Sequence, residues 1–185
     1  GPPIIEWIIA KIIKKPIIFD FDDPVFVPYL SPTYGKLGSF LKMPKKTAWI
    51  SSMSSQIIVC TNFSKVYARR YNENVSVIPT VVDAEKFIPK SQGKNSLIVI
   101  GWIGSFASAD HFKTLIPVFE KLGEKYHLVL KTVGLGCDFQ LSSPNVEIVN
   151  LEWDKNKEIN DYQSLDIGVY PLIRDPWTEG KMGLK

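Results

Sequence analysis

Three stretches of this chain carry residue types able to do chemistry. "PIIFDFDD" ends on Asp20, Asp22 and Asp23; "GWIGS" sets Gly101, Gly104 and Ser105 together; "RDPWTEGKMGLK" places Arg174, Glu179, Lys181 and Lys185 around Gly180 and Gly183. An apolar run that breaks into carboxylates is how a buried parallel strand reads where its carboxyl end opens into a site. The "GWIGS" glycines lack the GxGxxG spacing of a dinucleotide fingerprint, which argues against a dehydrogenase. A strand, a glycine turn, a serine and a helix start still make an anion site, because backbone N–H groups converge there. In the last stretch, glycines let the backbone approach a ligand, Arg174, Lys181 and Lys185 can balance a diphosphate, and Glu179 can accept protons from sugar hydroxyls. Each has a plainer reading too: a tight strand-to-helix turn for "GWIGS", a solvated loop for the last.

The elements that must position these residues alternate in type. "IIEWIIAKIIKK" puts six isoleucines on one stripe with Glu6, Lys11 and Lys14 off it, the period of an amphipathic helix. A sheet is the expected cover for that Ile face, and a membrane surface the alternative for so basic a stripe. "PIIFDF", "QIIVC", "VSVIP", "SLIVIGWIG", "YHLVLKTVG", "VEIVNL" and "DIGVYPL" read as strands. Helices are expected over "TAWISSMSS", over "SKVYARRY" with Asn62 or Ser64 as cap, over "SADHFKTLIPVFEKLG" with Pro117 as a kink or start, and near 156–163. Residues 24–46 read as a long loop with a short helix near 36–42. The polar, Pro- and Gly-bearing stretch "AEKFIPKSQGKNS" is the natural boundary. The expected class is therefore α/β, with two Rossmann-like parallel-sheet units, residues 1–89 and 90–185.

Composition narrows the function classes. A net charge of +3 over 185 residues is too slight to imply nucleic acid as a partner. Cys60 and Cys137 show no metal or CxxC spacing and suit buried free thiols. No apolar run approaches the roughly 20 residues of a bilayer span and the start does not resemble a signal peptide, so a cytoplasmic protein is expected.

Taken in order, "IIVCTNFSKVYARRYNENVSVIPTVVDAEKF", "VIGWIGSFASADHFKTLIPVFEKL" and "DIGVYPLIRDPWTEGKMGLK" resemble the family 4 glycosyltransferases of the two-domain GT-B architecture. "VIPTVVDAEKF" is similar to the family's crossing from acceptor to donor domain, and "IGWIGS" to its first donor-domain strand and glycine loop. The resemblance implies transfer of a sugar from a UDP- or GDP-sugar with retention of configuration, in polysaccharide biosynthesis, with no cofactor and no obligatory metal. It implies donor contacts at Gly104, Ser105, Arg174, Gly180, Lys181 and Gly183, and catalytic roles for Asp22 and Glu179. The acceptor would be a glycan or a lipid-linked molecule, the latter allowing peripheral contact with the inner face of a membrane.

Three departures from the family pattern matter. Many members have Arg at the place of Ser105 and His at the place of Asp22, and the second glutamate of their E-x7-E pair would fall beyond Lys185. A non-catalytic homologue that binds nucleotide or a partner is the second reading, and a nucleotide-sugar epimerase the third. Both units read as truncated, which would leave this stretch inactive by itself and prone to self-association through open sheet edges.

Overall fold

Among the described residues seven short strands form where the apolar runs fall, and their pairings are parallel. The structure, a computed structural model, describes residues 2–28, 43, 45–89 and 97–183. The expected helix near 36–42 and residues 90–96 of the expected boundary lie outside them, as does Lys185. The chain is α/β and divides into two compact units. The first holds the described residues up to Val81 together with those from Arg174 onward; the second is Val82–Ile173. The boundary expected from sequence lies after residue 89, with the whole of 174–185 in the second domain; the compact units instead divide after Val81 and join 174–183 to the first, where Gly180 packs on Pro24 and Phe63.

In the first unit, β1 (Ile18–Phe21), β2 (Gln56–Val59) and β3 (Val75–Val77) lie side by side in chain order. Phe21 pairs with Val59 and Val59 with Val77, so the three carboxyl ends are level. Phe21, Ile57, Val59 and Ala68 form the core, with Phe19, Phe26, Val75 and Val77 packed against it. Helix α2 (Lys45–Met53) precedes β2 and α3 (Asn62–Ala68) follows it. The cap of α3 is Thr61, whose hydroxyl accepts the Ser64 N–H at 3.2 Å, one residue before the expected Asn62.

Two expectations for this unit need correction. β1 is an edge strand whose side chains alternate between exposed and covered, not a strand buried on both faces. The N-terminal helix forms, as α1 (Ile4–Trp7) running into a π-helical turn at Ile8–Ile12, but its Ile face lies on no sheet: Ile5 is 71% exposed and Ile12 63%. What packs is the opposite edge, where Glu6 bridges to Lys46 of α2 at 3.2 Å. Lys14, with φ of 57°, ends the helix in the left-handed region.

In the second unit, β4 (Ile98–Ile103), β5 (Leu128–Val133), β6 (Val146–Leu151) and β7 (Ile167–Gly168) make one sheet in the order β6-β5-β4-β7. Six-residue ladders join β4 to β5 and β5 to β6; β7 meets β4 through two residue pairs. The expected helix over 108–123 is two helices, α4 (Ala109–Lys113) and α5 (Ile116–Gly123), because Pro117 cannot donate in a helix interior and instead sits in the first turn of α5. α6 (Glu158–Gln163) leads to β7. Trp102, Phe119 and Phe139 surround Phe112, tilted or edge-on to it, with centroids 5.3–6.3 Å away. Ile100, Leu128, Leu130 and Leu135 complete this core.

Candidate functional site

The strand order of the second unit marks the edge at which an open parallel sheet takes a ligand. Moving outward from β4, the chain first adds β5 and β6 on one side and then β7 on the other, so the order reverses between β4 and β7. Ligands of open parallel sheets bind beyond the carboxyl ends at such a reversal. Gly104 and Ser105 follow β4 there. The Ile173 N–H, beyond β7, donates to His111 Nδ1 of α4 at 3.1 Å and ties the two sides of the reversal together.

The glycines at this edge have physical reasons for their type. A Cβ on Gly104 would run into the Trp102 indole, and one on Gly101 into the Leu165 side chain, so both admit close packing. The Gly104 N–H donates to the Val133 carbonyl at 3.0 Å and the Ser105 N–H to Ser108 Oγ at 3.3 Å. These two amides are thus occupied by the fold, and what Gly104 offers a ligand is proximity. Ser105 opens the 3-10 turn Phe106–Ser108 that leads into α4.

A second glycine pair, which the sequence reading passed over, lies beside them. In "VGLGCD" after β5, Gly134 and Gly136 take φ of 76° and 69°, a left-handed conformation that side chains disfavour. The Gly104 carbonyl stands where a Cβ of Gly134 would go, and Phe106 covers Gly136. Asn150 braces this loop: its Oδ1 accepts from Thr132 Oγ1 at 2.8 Å while its Nδ2 donates to the Cys137 carbonyl at 3.1 Å. The signal that finds the pair is a G-x-G directly after an apolar strand.

The first unit has its own concavity. Asp20, Asp22, Cys60, Pro79, Thr80 and Val81 line an open cleft of about 430 Å³ at the carboxyl ends of the three strands. Asp22 Oδ1 accepts the Asp23 N–H at 2.8 Å, which aims the carboxylate within its turn. Burial pushes the Cys60 thiol up from its ordinary range, and the charges of Asp22, Asp20 and Asp23 push it further against a hydrogen bond with Thr80. The thiol therefore stays protonated at neutral pH and is a poor nucleophile. Exposed carboxylates on such a rim accept hydrogen bonds from hydroxyl or ammonium groups.

The segment bearing Arg174, Glu179, Gly180, Lys181 and Gly183 is seated on this first unit. Asp175 caps the short helix α7 (Pro176–Glu179) by accepting the Thr178 N–H at 2.6 Å. Gly180 then fits against Pro24 and Phe63, where a Cβ would come within 2.6 Å and 2.8 Å of them, and its carbonyl accepts from Thr61 Oγ1 at 3.4 Å. The Thr80 N–H donates to Met182 Sδ at 3.1 Å, so the segment reaches the rim of the acidic cleft. Arg174 and Glu179 bridge each other at 2.9 Å. Lys181 is half-buried and Gly183 exposed. Asp22 thus shares a unit with Glu179 and Lys181, while Gly104 and Ser105 belong to the other.

No protein-family model matches the chain. Nor does any curated protein match it significantly.

Proposed function

We propose that the chain belongs to a glycosyltransferase that moves a sugar from a UDP- or GDP-sugar to a hydroxyl acceptor with retention of configuration. The observation that carries this reading is the reversal of strand order between β4 and β7, flanked by the Gly104 and Gly134–Gly136 loops. The sequence resemblance supports it independently, since "IGWIGS" falls on that edge.

On this reading the nucleoside diphosphate lies along the β4 and β5 loops. A departing diphosphate and an oxocarbenium-like sugar both need preorganised charge. Asp22 and Asp20 line the acceptor-side cleft and accept hydrogen bonds from acceptor hydroxyls, with Glu179, Lys181 and Gly180 in the neighbouring segment. Titration of UDP and GDP into the protein tests the donor half: binding at or below millimolar concentration, lost in Gly134→Val with the fold retained by circular dichroism, supports it. No heat from either nucleotide at millimolar concentration overturns it.

One observation favours the non-catalytic alternative. Arg174, which would face a diphosphate, is engaged by Glu179, and Ser105 brings no charge where many transferases have Arg. Sugar-nucleotide turnover by the protein, reduced about 10²-fold or more in Lys181→Ala, would exclude that alternative. Product formed without any acceptor would point instead to an epimerase.

A further inference from the structure

The N-terminal helix carries an unusually complete interfacial pattern. Ile4, Ile8 and Ile12, and beside them Ile5, Ile9 and Ile13, repeat every four residues. In a pure α-helix that spacing drifts by about 40° per step. The wider π-helical winding at Ile8–Ile12 reduces the drift and keeps the isoleucines in one band. Ile13 N–H to Ile8 carbonyl and Lys15 N–H to Ile9 carbonyl, 3.0 and 3.1 Å, hold that winding to the end.

Apart from Ile4, which lines a groove against α2, and half-buried Ile9, this band is exposed. Trp7, Pro3 and Ile4 meet Trp49 and Met53 of α2 in a shallow apolar groove, and the Glu6 to Lys46 bridge fixes the same edge. Ile5, Ile8, Ile12 and Ile13 remain exposed, and Trp7 and Trp49 are half-exposed beside them. Lys11, Lys14 and Lys15 close the far end and Lys45 and Lys46 the near one, against a single acidic residue, Glu6. Four of these positive charges are left over, more than the +3 of the whole chain. A face that joins aliphatic residues and indoles to flanking lysines complements an anionic lipid surface in both respects. At nine residues the helix is under about 15 Å long, half the hydrocarbon thickness, so it lies in the interface and does not cross it.

We infer that α1 and its π-turn, with the start of α2, form a peripheral docking surface for anionic phospholipid bilayers. The inference stands independently of the nucleotide-sugar reading. Mixing the protein with phosphatidylglycerol-containing and pure phosphatidylcholine vesicles, followed by sedimentation, tests it. The expected result is binding to the anionic vesicles at least tenfold tighter than to the neutral ones, weakened about tenfold as salt screens the lysines. Brominated acyl chains should quench fluorescence in the native protein and less in Trp7→Phe.

Ile5→Glu/Ile12→Glu, at positions the fold leaves exposed, should abolish binding with unchanged circular dichroism, and Lys11→Glu/Lys15→Glu should remove the preference for anionic lipid. Equal affinity for both vesicles, no binding to either, or binding that survives Ile5→Glu/Ile12→Glu would each overturn the inference. So would a concentration-dependent dimer in sedimentation velocity that the isoleucine variant dissolves while vesicles leave it unaffected, since a second copy would then be the occupant.

Discussion

The two sheets solve the same problem with different means. In the second unit the central strands β4 and β5 are covered on both faces, and an aromatic cluster around Phe112 fills the space beneath them. In the first unit β1 is half-exposed, the sheet has three strands, and the carboxyl ends carry acid and a buried thiol. Among the described residues the second unit's core has nine buried members and the first unit's has four. Under the proposed function, the unit that approaches a ligand through glycine loops is the one with the larger core, and the unit with the acidic rim is the one with the smaller.

The largest predicted break is Phe112→Ala. Phe112 is fully buried and touches three other rings, so its loss should cost about 3–5 kcal/mol. Urea unfolding followed by two probes should show the second unit melting first while the signal from the first unit is retained. A single unshifted transition would mean the packing difference drawn above is unimportant.

Next comes the ion pair between Lys131 in β5 and Asp161 in α6, at 2.8 Å, with side chains only 12% and 10% exposed. Lys131 also donates to Ser164 Oγ at 2.9 Å. Asp161→Ala leaves a lysine under α6 without its counter-charge and should cost about 3 kcal/mol, whereas Lys131→Met/Asp161→Leu should recover most of that loss. Denaturant midpoints of the two variants settle it; a double variant as weak as the single would show that the charges themselves stabilise the unit.

Gly134→Ala should cost about 2 kcal/mol, because a left-handed residue gains a Cβ against the Gly104 carbonyl. Gly183→Ala, in an exposed position, should cost almost nothing by the same thermal-melt comparison. The smallest effect belongs to the first unit. Burial and three carboxylates raise the Cys60 pKa, so its alkylation should be slow at pH 7 and should climb with pH beyond the range of an ordinary thiol. Asp22→Asn removes one negative charge, lowers that pKa and speeds the reaction at a given pH, read by mass spectrometry at Cys60. An unchanged rate would detach the thiol from the acidic rim.

Much of this framework is readable from residue types. Every strand follows from an apolar run bounded by Pro, Gly or polar residues, and Pro117 marks where one helix becomes two. Strand order is not readable in that way: nothing in "DIGVYPL" says that it pairs with β4 and not with β6, since adjacency is decided by how crossovers pack. Side-chain cover is equally hidden. The Ile band has the period of a buried face, but burial depends on what lies opposite. Among the site residues, Asp22 falls where the strand pattern puts it, at the opening of a cleft. The seating of Gly180 on Pro24 and Phe63 is a long-range fit, 117 or more positions apart in the chain, which no local pattern encodes.

The two-residue contact of β7 has a consequence for motion. Val99 exchanges hydrogen bonds with Asp166 through that residue's carboxylate and amide, at 2.7 and 2.9 Å, and the Val169 N–H reaches the Gly101 carbonyl at 2.9 Å; the ladder itself runs over two residue pairs, against six between β4 and β5. Such a seam opens at a fraction of the free energy needed to unravel β4 from β5. Amide protons along Ile167–Val169 should therefore swap with solvent deuterium well before those of β5, so that this margin of the sheet breathes while the β4–β5 ladder stays shut.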